Sequence, residues 1–283
     1  MVGCVLAGSA LAEQPVATNP PLDPMFAAKA HAPDLKSAAA LVVGQEDGRA
    51  LYTKNTDTVA PIASITKLMM AMVVLDSQLP LTEPITITAD DMDDIKGTRS
   101  RLTVGTTLTR SDLLRLALMA SENRAAAALA RTYPGGRNAA VSAMNAKARE
   151  LGMQDTNFLD PTGLSSGNVS TAHDLVKMVI AARDYALIHQ YTTAASHSVD
   201  GWKGREMRFV NTNKLVRNAS WDIGVSKTGY ISEAGRCLVM EATINLRTVV
   251  IVLLDSWGKN TRIGDANRIK KWMESSNTRH GRT

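Results

Sequence analysis

The feature that most constrains this chain is where its strand-like runs fall. Two short apolar runs flank Asp47-Gly48 in SAAALVVGQEDGRALYTKN, a hairpin pattern close to the start. Three further runs, DIGVSKTGYI, GRCLVMEATI and RTVVIVLLDS, stand close to the end, followed by a helical run near 260 to 275. Between them, from about 76 to 214, the apolar spacing is mostly helical, as in RSDLLRLALMASENRAAAALARTY, with breaks at Pro134-Gly135-Gly136 and in DPTGLSSGN. Strands at both ends around a helical middle predict an α/β chain of the α+β type: one antiparallel sheet built from both chain ends, flanked by helices, with a helical subdomain inserted. The expected domain is 37–283, with its sheet part at about 37–75 and 215–275 and its insert at about 76–214. A cleft between the sheet edge and the insert is the natural place for a site.

Directly after the first hairpin comes PIASITKLMMAMVVLD, residues 61–76, an almost wholly apolar helix that carries one cation, Lys67, one turn after Ser64. The plainer reading is that Ser64 caps the helix and Lys67 lays its stem over the surface with its ammonium in water. A Ser-x-x-Lys spacing arises about once by chance in an ordinary chain of this size, so the pair alone decides nothing. The chemical reading uses the shared face of residues i and i+3, which brings the amine within reach of the hydroxyl. In a dry site with a second cation nearby, the pKa of Lys67 falls and its neutral amine takes the proton of Ser64.

Bulk properties narrow the function classes. The chain has 283 residues, 45% hydrophobic and 21% charged, enough for a sizeable core. Its net charge of +5 is scattered except for RIKKW, and only 4% of residues are aromatic, so nucleic acid is not favoured as a partner and an acidic polymer substrate stays open. Of the two cysteines, Cys237 lies alone in an apolar run and reads as a buried small hydrophobe, and no structural disulfide with Cys4 is expected. The five histidines have no paired-ligand spacing, so no metal and no cofactor is expected. Residues 1–12, ending in Ala10-Leu11-Ala12, read as a truncated signal-peptide remnant without its charged start, and the proline-rich 13–36 as an extended arm. No later stretch approaches the length of a transmembrane segment.

Two further motifs give Ser64 and Lys67 their context. Ser121-Glu122-Asn123 sits in ALMASENRAA and Lys227-Thr228-Gly229 in DIGVSKTGYI. Separately these read as polar residues at a helix kink and as a strand end. Lys-Thr-Gly, however, is expected in only about one chain in ten or twenty of this length.

The three motifs in this order resemble the serine penicillin-recognising acyl transferases. The runs DMDDIKGTRSRL, LALMASENRAA, LGMQDTNFLDPTGLSSGNVSTAHDL and SKTGYISEAGRCL resemble, more closely, the D-alanyl-D-alanine endopeptidase branch of the low-molecular-mass penicillin-binding proteins, over roughly residues 35 to 275. The resemblance implies a serine D,D-peptidase with Ser64 as nucleophile, Lys67 as general base and Ser121 relaying a proton to the leaving amine. It implies that Asn123, Lys227, Thr228, Gly229 and Tyr230 bind substrate, with backbone N–H groups of Ser64 and Tyr230 as oxyanion hole. The helix dipole at Ser64 favours that oxyanion, Lys227 is the second cation demanded above, and Gly229 lets a substrate strand lie along the sheet edge. Arg262, counted back from Trp272, matches a carboxylate-binding arginine of related carboxypeptidases, although KNTRIGDANR reads more simply as a solvated helix start. Asp160, Thr162 and Ser170 are expected to shape the loop beside the cleft.

The implied substrates are peptidoglycan stem peptides and their D-alanyl to meso-diaminopimelyl cross-links, the implied inhibitors β-lactams that acylate Ser64, and the implied location the periplasm. A D-alanyl-D-alanine carboxypeptidase is the nearest alternative; many such relatives carry an extra C-terminal domain, whereas this sequence stops soon after Trp272. A β-lactamase is disfavoured because no Glu-x-x-Leu-Asn motif stands where DTNFLDPTGL does. A catalytically silent murein-binding module is disfavoured by the presence of every catalytic residue type.

Overall fold

The computed structural model describes residues 20–27, 32–201 and 204–277. The expected signal remnant, Cys4 and the start of the expected arm lie outside the described residues. In chain order the elements are helix α1 (Pro24–Ala27), strands β1 (Ser37–Gly44), β2 (Ala50–Lys54) and β3 (Ala60–Pro61), then helix α2 (Thr66–Asp76). Strands β4 (Pro84–Thr86) and β5 (Thr107–Thr109) precede helices α3 (Arg110–Met119), α4 (Asn123–Arg131) and α5 (Gly136–Glu150). Strand β6 (Val169–Ser170), helices α6 (Ala172–Arg183) and α7 (Ala186–Thr192), and strands β7 (Ser196–Asp200) and β8 (Glu206–Val210) follow. Strands β9 (Asp222–Ile231), β10 (Gly235–Ile244) and β11 (Arg247–Ser256) and helix α8 (Thr261–Asn277) close the chain.

The principal sheet is antiparallel in the order β2-β1-β11-β10-β9, so β1 and β11, from opposite ends of the chain, pair in its middle. Both read as near-continuous Val, Leu and Ala because both faces are covered. Alternation sorts them: Leu41, Val43, Val250, Val252 and Leu254 face one core with α2 and α6, whereas Ala40, Val42, Val249, Ile251 and Leu253 face a second core with α8. Phe26 packs edge-on against Trp272 there, and Asp23 ion-pairs with Arg247, so the 20–27 segment docks on the sheet. That segment differs from the extended arm expected: Leu22 bridges Ala50 and α1 is a helical turn.

The middle of the chain also differs in detail from the mostly helical expectation. It contains two hairpins, β4–β5 and β7–β8. The strands of the first are three residues long and those of the second bury little beyond Val199 and Phe209, so neither presents an apolar period long enough to read. Helix α6, within the sequence of the expected insert, packs through Leu175, Met178 and Val179 into the same core as α2.

Candidate active site

Ser64 occupies a 3-10 turn, Ala63–Ile65, that leads into α2. Ala63 holds a left-handed backbone, φ 47°, which for a side chain-bearing residue costs about 1–3 kcal/mol and persists only where neighbours impose it. The 160–168 loop does so. Asn168 donates from Nδ2 to Thr66 Oγ1 (3.0 Å), its carbonyl accepts from the Ile62 N–H (3.0 Å), and Thr66 Oγ1 donates to Ala63 O (2.8 Å). Gly163, at φ 81°, lies so close that a Cβ there would sit 2.0 Å from Ala63 O. Asp160 organises this loop, its Oδ1 accepting from the N–H groups of Thr162 (2.7 Å) and Gly163 (2.9 Å). Ser170 exchanges a hydrogen bond with Thr156 at 2.7 Å.

Every residue of α2 from Thr66 to Val74 is buried. Burying each Leu, Met or Val there contributes about 1.5–3 kcal/mol, which allows the helix to carry one amine into the interior. Lys67 is that residue, fully enclosed. Its Nζ lies 2.9 Å from Ser64 Oγ, 2.8 Å from Asn123 Oδ1 and 2.5 Å from Thr162 O. All three neighbours are uncharged oxygens. Burial pushes the amine down to about 7, against the pull of Asp160, Glu122 and Asp93. A neutral amine has two N–H donors and one lone pair: it can donate to Asn123 and Thr162 and accept from the Ser64 hydroxyl. The expectation that a second cation lowers this pKa needs correction, because burial is the leading cause. The coupling is felt at Lys227, whose amine is held well below the ordinary lysine value by burial first, then by Lys67, then by Arg262.

The other expected residues converge on the same groove. Ser121, at φ 59° in the connection between α3 and α4, accepts from Lys227 Nζ at 2.9 Å; Asn123 opens α4. Lys227, Thr228, Gly229 and Tyr230 run along β9, at the sheet's edge. Lys227 is buried and also donates to Thr228 O (2.9 Å), while Thr228 Oγ1 donates to Thr212 Oγ1 (2.7 Å). Gly229 permits the close approach of β9 to the Ser64 turn: a Cβ would lie 2.8 Å from Ile62 O and 3.2 Å from Ser64 N. Tyr230 is exposed, its ring under the Arg236 guanidinium at 4.3 Å.

Arg262 is not at a solvated helix start. It is buried behind β9, where Nη1 donates to Gly229 O (2.7 Å) and Cys237 O (3.2 Å). Cys237 is buried as expected, its thiol pushed up to about 11 by burial. Sequence reasoning missed Thr98, whose Oγ1 accepts from Asn123 Nδ2 at 2.9 Å, Asp93, which accepts from the Thr98 N–H at 2.7 Å, and the carbonyl of Thr162. Asp93 and Thr98 sit in an aperiodic loop, and a carbonyl carries no residue signature.

Comparison with known proteins decides the kinship. The family model described as D-alanyl-D-alanine carboxypeptidase matches residues 26–258. The chain belongs to this family. This serine D,D-peptidase is 51% identical over 243 residues to a D-alanyl-D-alanine endopeptidase of Pseudomonas aeruginosa, covering 86% of this chain and 78% of that one. It is 46% identical over 250 residues to a D-alanyl-D-alanine endopeptidase of Escherichia coli, covering 88% and 81%. The crystal structure of the Streptomyces K15 DD-transpeptidase superposes on this D,D-peptidase with a TM-score of 0.79 at 29% identity, covering 86% of this chain and 98% of that one. Among the described residues of the D,D-peptidase no helix is long and apolar enough to cross a membrane.

Proposed function

We propose that the protein is a D,D-endopeptidase that opens D-alanyl to meso-diaminopimelyl cross-links between peptidoglycan stem peptides through an acyl-enzyme on Ser64. The observation that carries this reading is the Lys67 amine, buried among uncharged oxygens, held near neutrality and 2.9 Å from Ser64 Oγ. A lysine in that state is a base matched to neutral pH.

The amine takes the Ser64 proton as Oγ bonds to the D-alanyl carbonyl carbon, and the negative charge moves to the carbonyl oxygen. Backbone N–H groups of Ser64 and Tyr230 receive that oxyanion, which forms at the start of α2, where the helix dipole also favours it. Ser121, hydrogen-bonded to Lys227, gives its hydroxyl proton to the departing diaminopimelyl nitrogen as the C–N bond breaks and takes in exchange the proton that Lys67 removed from Ser64, which returns Lys67 to its neutral form. Lys227 and Thr228 hold the carboxylate beside that nitrogen, and Asn123 hydrogen-bonds the acyl half. Water then attacks the ester, its proton going to Lys67, and Lys67 passes that proton to Ser64 Oγ as the ester C–O bond breaks. Arg262 supports the groove from behind through Gly229 O.

Penicillins acylate Ser64 by the same attack, and the enzyme works in the periplasm. The names of the two relatives above support an endopeptidase, while the family's description keeps removal of a terminal D-alanine as the second reading. Intact-mass labelling with a penicillin should give a single adduct that Ser64→Ala abolishes; an adduct retained by that variant contradicts the acyl-enzyme. Parallel digestion of a cross-linked muropeptide dimer and a pentapeptide monomer separates the two substrates. Free D-alanine from the monomer with the dimer intact would exclude the endopeptidase.

A further inference from the structure

The groove has two walls, and two contacts among the described residues tie them together. At one, Lys227 of β9 donates to Ser121 on the α3–α4 connection. At the other, Lys96, on the loop between β4 and β5, forms an ion pair with Glu233 in the turn between β9 and β10. Lys96 is presented by a built loop. Asp93 accepts from the N–H groups of Ile95 (2.8 Å), Lys96 (2.9 Å) and Thr98 (2.7 Å), and Thr98 is bonded to Asn123. The hydrogen bond from Lys96, followed by that from the Ser232 hydroxyl, holds the Glu233 carboxyl down at about 2. Both side chains still meet water, at 29% and 40% exposure, so either charge is able to exchange its partner for one on a substrate.

The polarity of the site decides which half of a substrate passes this pair. Ser121 and Lys227 mark the leaving-group side, and Ser64 lies against Gly229. The acyl half therefore runs the other way, from Gly229 past Tyr230 and Ile231, where β9 ends, toward Glu233 in the turn that follows, at most about 13 Å along the chain. In the cross-link reading above, on which this inference rests, the residue before the scissile D-alanine is diaminopimelyl. Its side chain ends in a carbon bearing one ammonium and one carboxylate. A D-alanyl residue and that side chain together reach roughly 10–12 Å.

We propose that Lys96 and Glu233 form the subsite for this zwitterionic side-chain end, Glu233 taking its ammonium and Lys96 its carboxylate in place of each other. A lysine-type stem, which ends in an ammonium alone, engages Glu233 and leaves Lys96 without a partner. A neutral side chain leaves the pair closed on itself. Exchange of exposed ion pairs sets the scale, about fivefold in kcat/KM, equivalent to ~1 kcal/mol.

The test uses the full chain and three stem-peptide donors ending in a D-alanyl thioester, with diaminopimelate, lysine or norleucine at the third position; thiol release gives kcat/KM. Wild type should prefer diaminopimelate over lysine about fivefold. Lys96→Ala should bring these two donors to equal rates, and Glu233→Gln should lower both toward the norleucine donor. Equal wild-type rates on all three donors overturn the subsite, as do substitutions that slow all three alike, the signature of a merely structural bridge. Indifference to the donor together with a penicillin adduct on Ser64 removes this subsite only. Failure to consume any donor, with no adduct, removes the D,D-peptidase reading along with it.

Discussion

The chemistry of this site is set by one amine at the wrong depth for a cation. Lys67 sits in a helix whose surroundings are Leu, Met and Val, and its partners are Ser64 Oγ, Asn123 Oδ1 and Thr162 O rather than a carboxylate. Desolvation without a counter-charge lowers the pKa of a lysine, because the charged form loses its hydration and gains no partner. With the amine at about 7, its basic form is scarce at pH 6 and dominant at pH 8. Penicillin acylation should therefore rise with pH across a limb centred near 7, read by stopped-flow labelling; a flat profile from pH 5 to 9 would contradict the assigned base. Lys67→Ala should slow acylation by about 10²–10⁴-fold, the usual worth of a positioned general base, with the rate of intact-mass labelling as the measure. Lys227 does different work. Its amine, also buried, donates to Ser121, and in the proposed mechanism it anchors the substrate carboxylate where Lys67 abstracts a proton.

The proposed catalysis depends on how closely β9 and the 160–168 loop approach the Ser64 turn. Both approaches go through glycine, at 229 and 163, since a Cβ at either would strike the backbone of residues 62 to 64. Gly229→Ala should push β9 away from Ser64 and cut the acylation rate by about 10²-fold, the scale of a 1 Å misplacement, while circular dichroism shows the fold retained. A wild-type acylation rate in that variant would show that the close packing is irrelevant to the reaction. Arg262 braces the same strand from the far side, donating to the carbonyls of Gly229 and Cys237, which explains why a charged residue at the start of α8 is buried.

The whole molecule is closed by contacts between its ends. β1 pairs with β11 across 205 to 219 positions of sequence, Ser37 opposite Ser256 and Gly44 opposite Val249. Asp265 of α8 pins this junction: its carboxylate, fully buried, accepts from the N–H groups of Lys36 (3.0 Å) and Ser37 (2.7 Å) and from Ser37 Oγ (2.7 Å). Asp265→Ala would strand those donors, each left unsatisfied at a cost of about 1–3 kcal/mol. Thermal unfolding should then fall by roughly 10 °C, whereas a shift under about 2 °C would mean that the junction is held elsewhere.

Residues 61–76, 121–123 and 227–229 were legible in the sequence because short motifs carry their own chemistry: a hydroxyl and an amine on one helix face, and a glycine where a strand must approach. The antiparallel sheet from both ends was legible because Val- and Ile-rich runs can be satisfied only by pairing with one another. The hairpins β4–β5 and β7–β8 were not, since a few residues with mixed burial leave no period. Sequence by itself determined which residue types meet, and in what order along the chain. Only the tertiary structure decided the depth of Lys67, the choice of a main-chain carbonyl as its third partner, the burial of Arg262 and the bridge from Lys96 to Glu233. Those depend on desolvation and on distances between segments far apart in the chain, quantities that no local pattern contains.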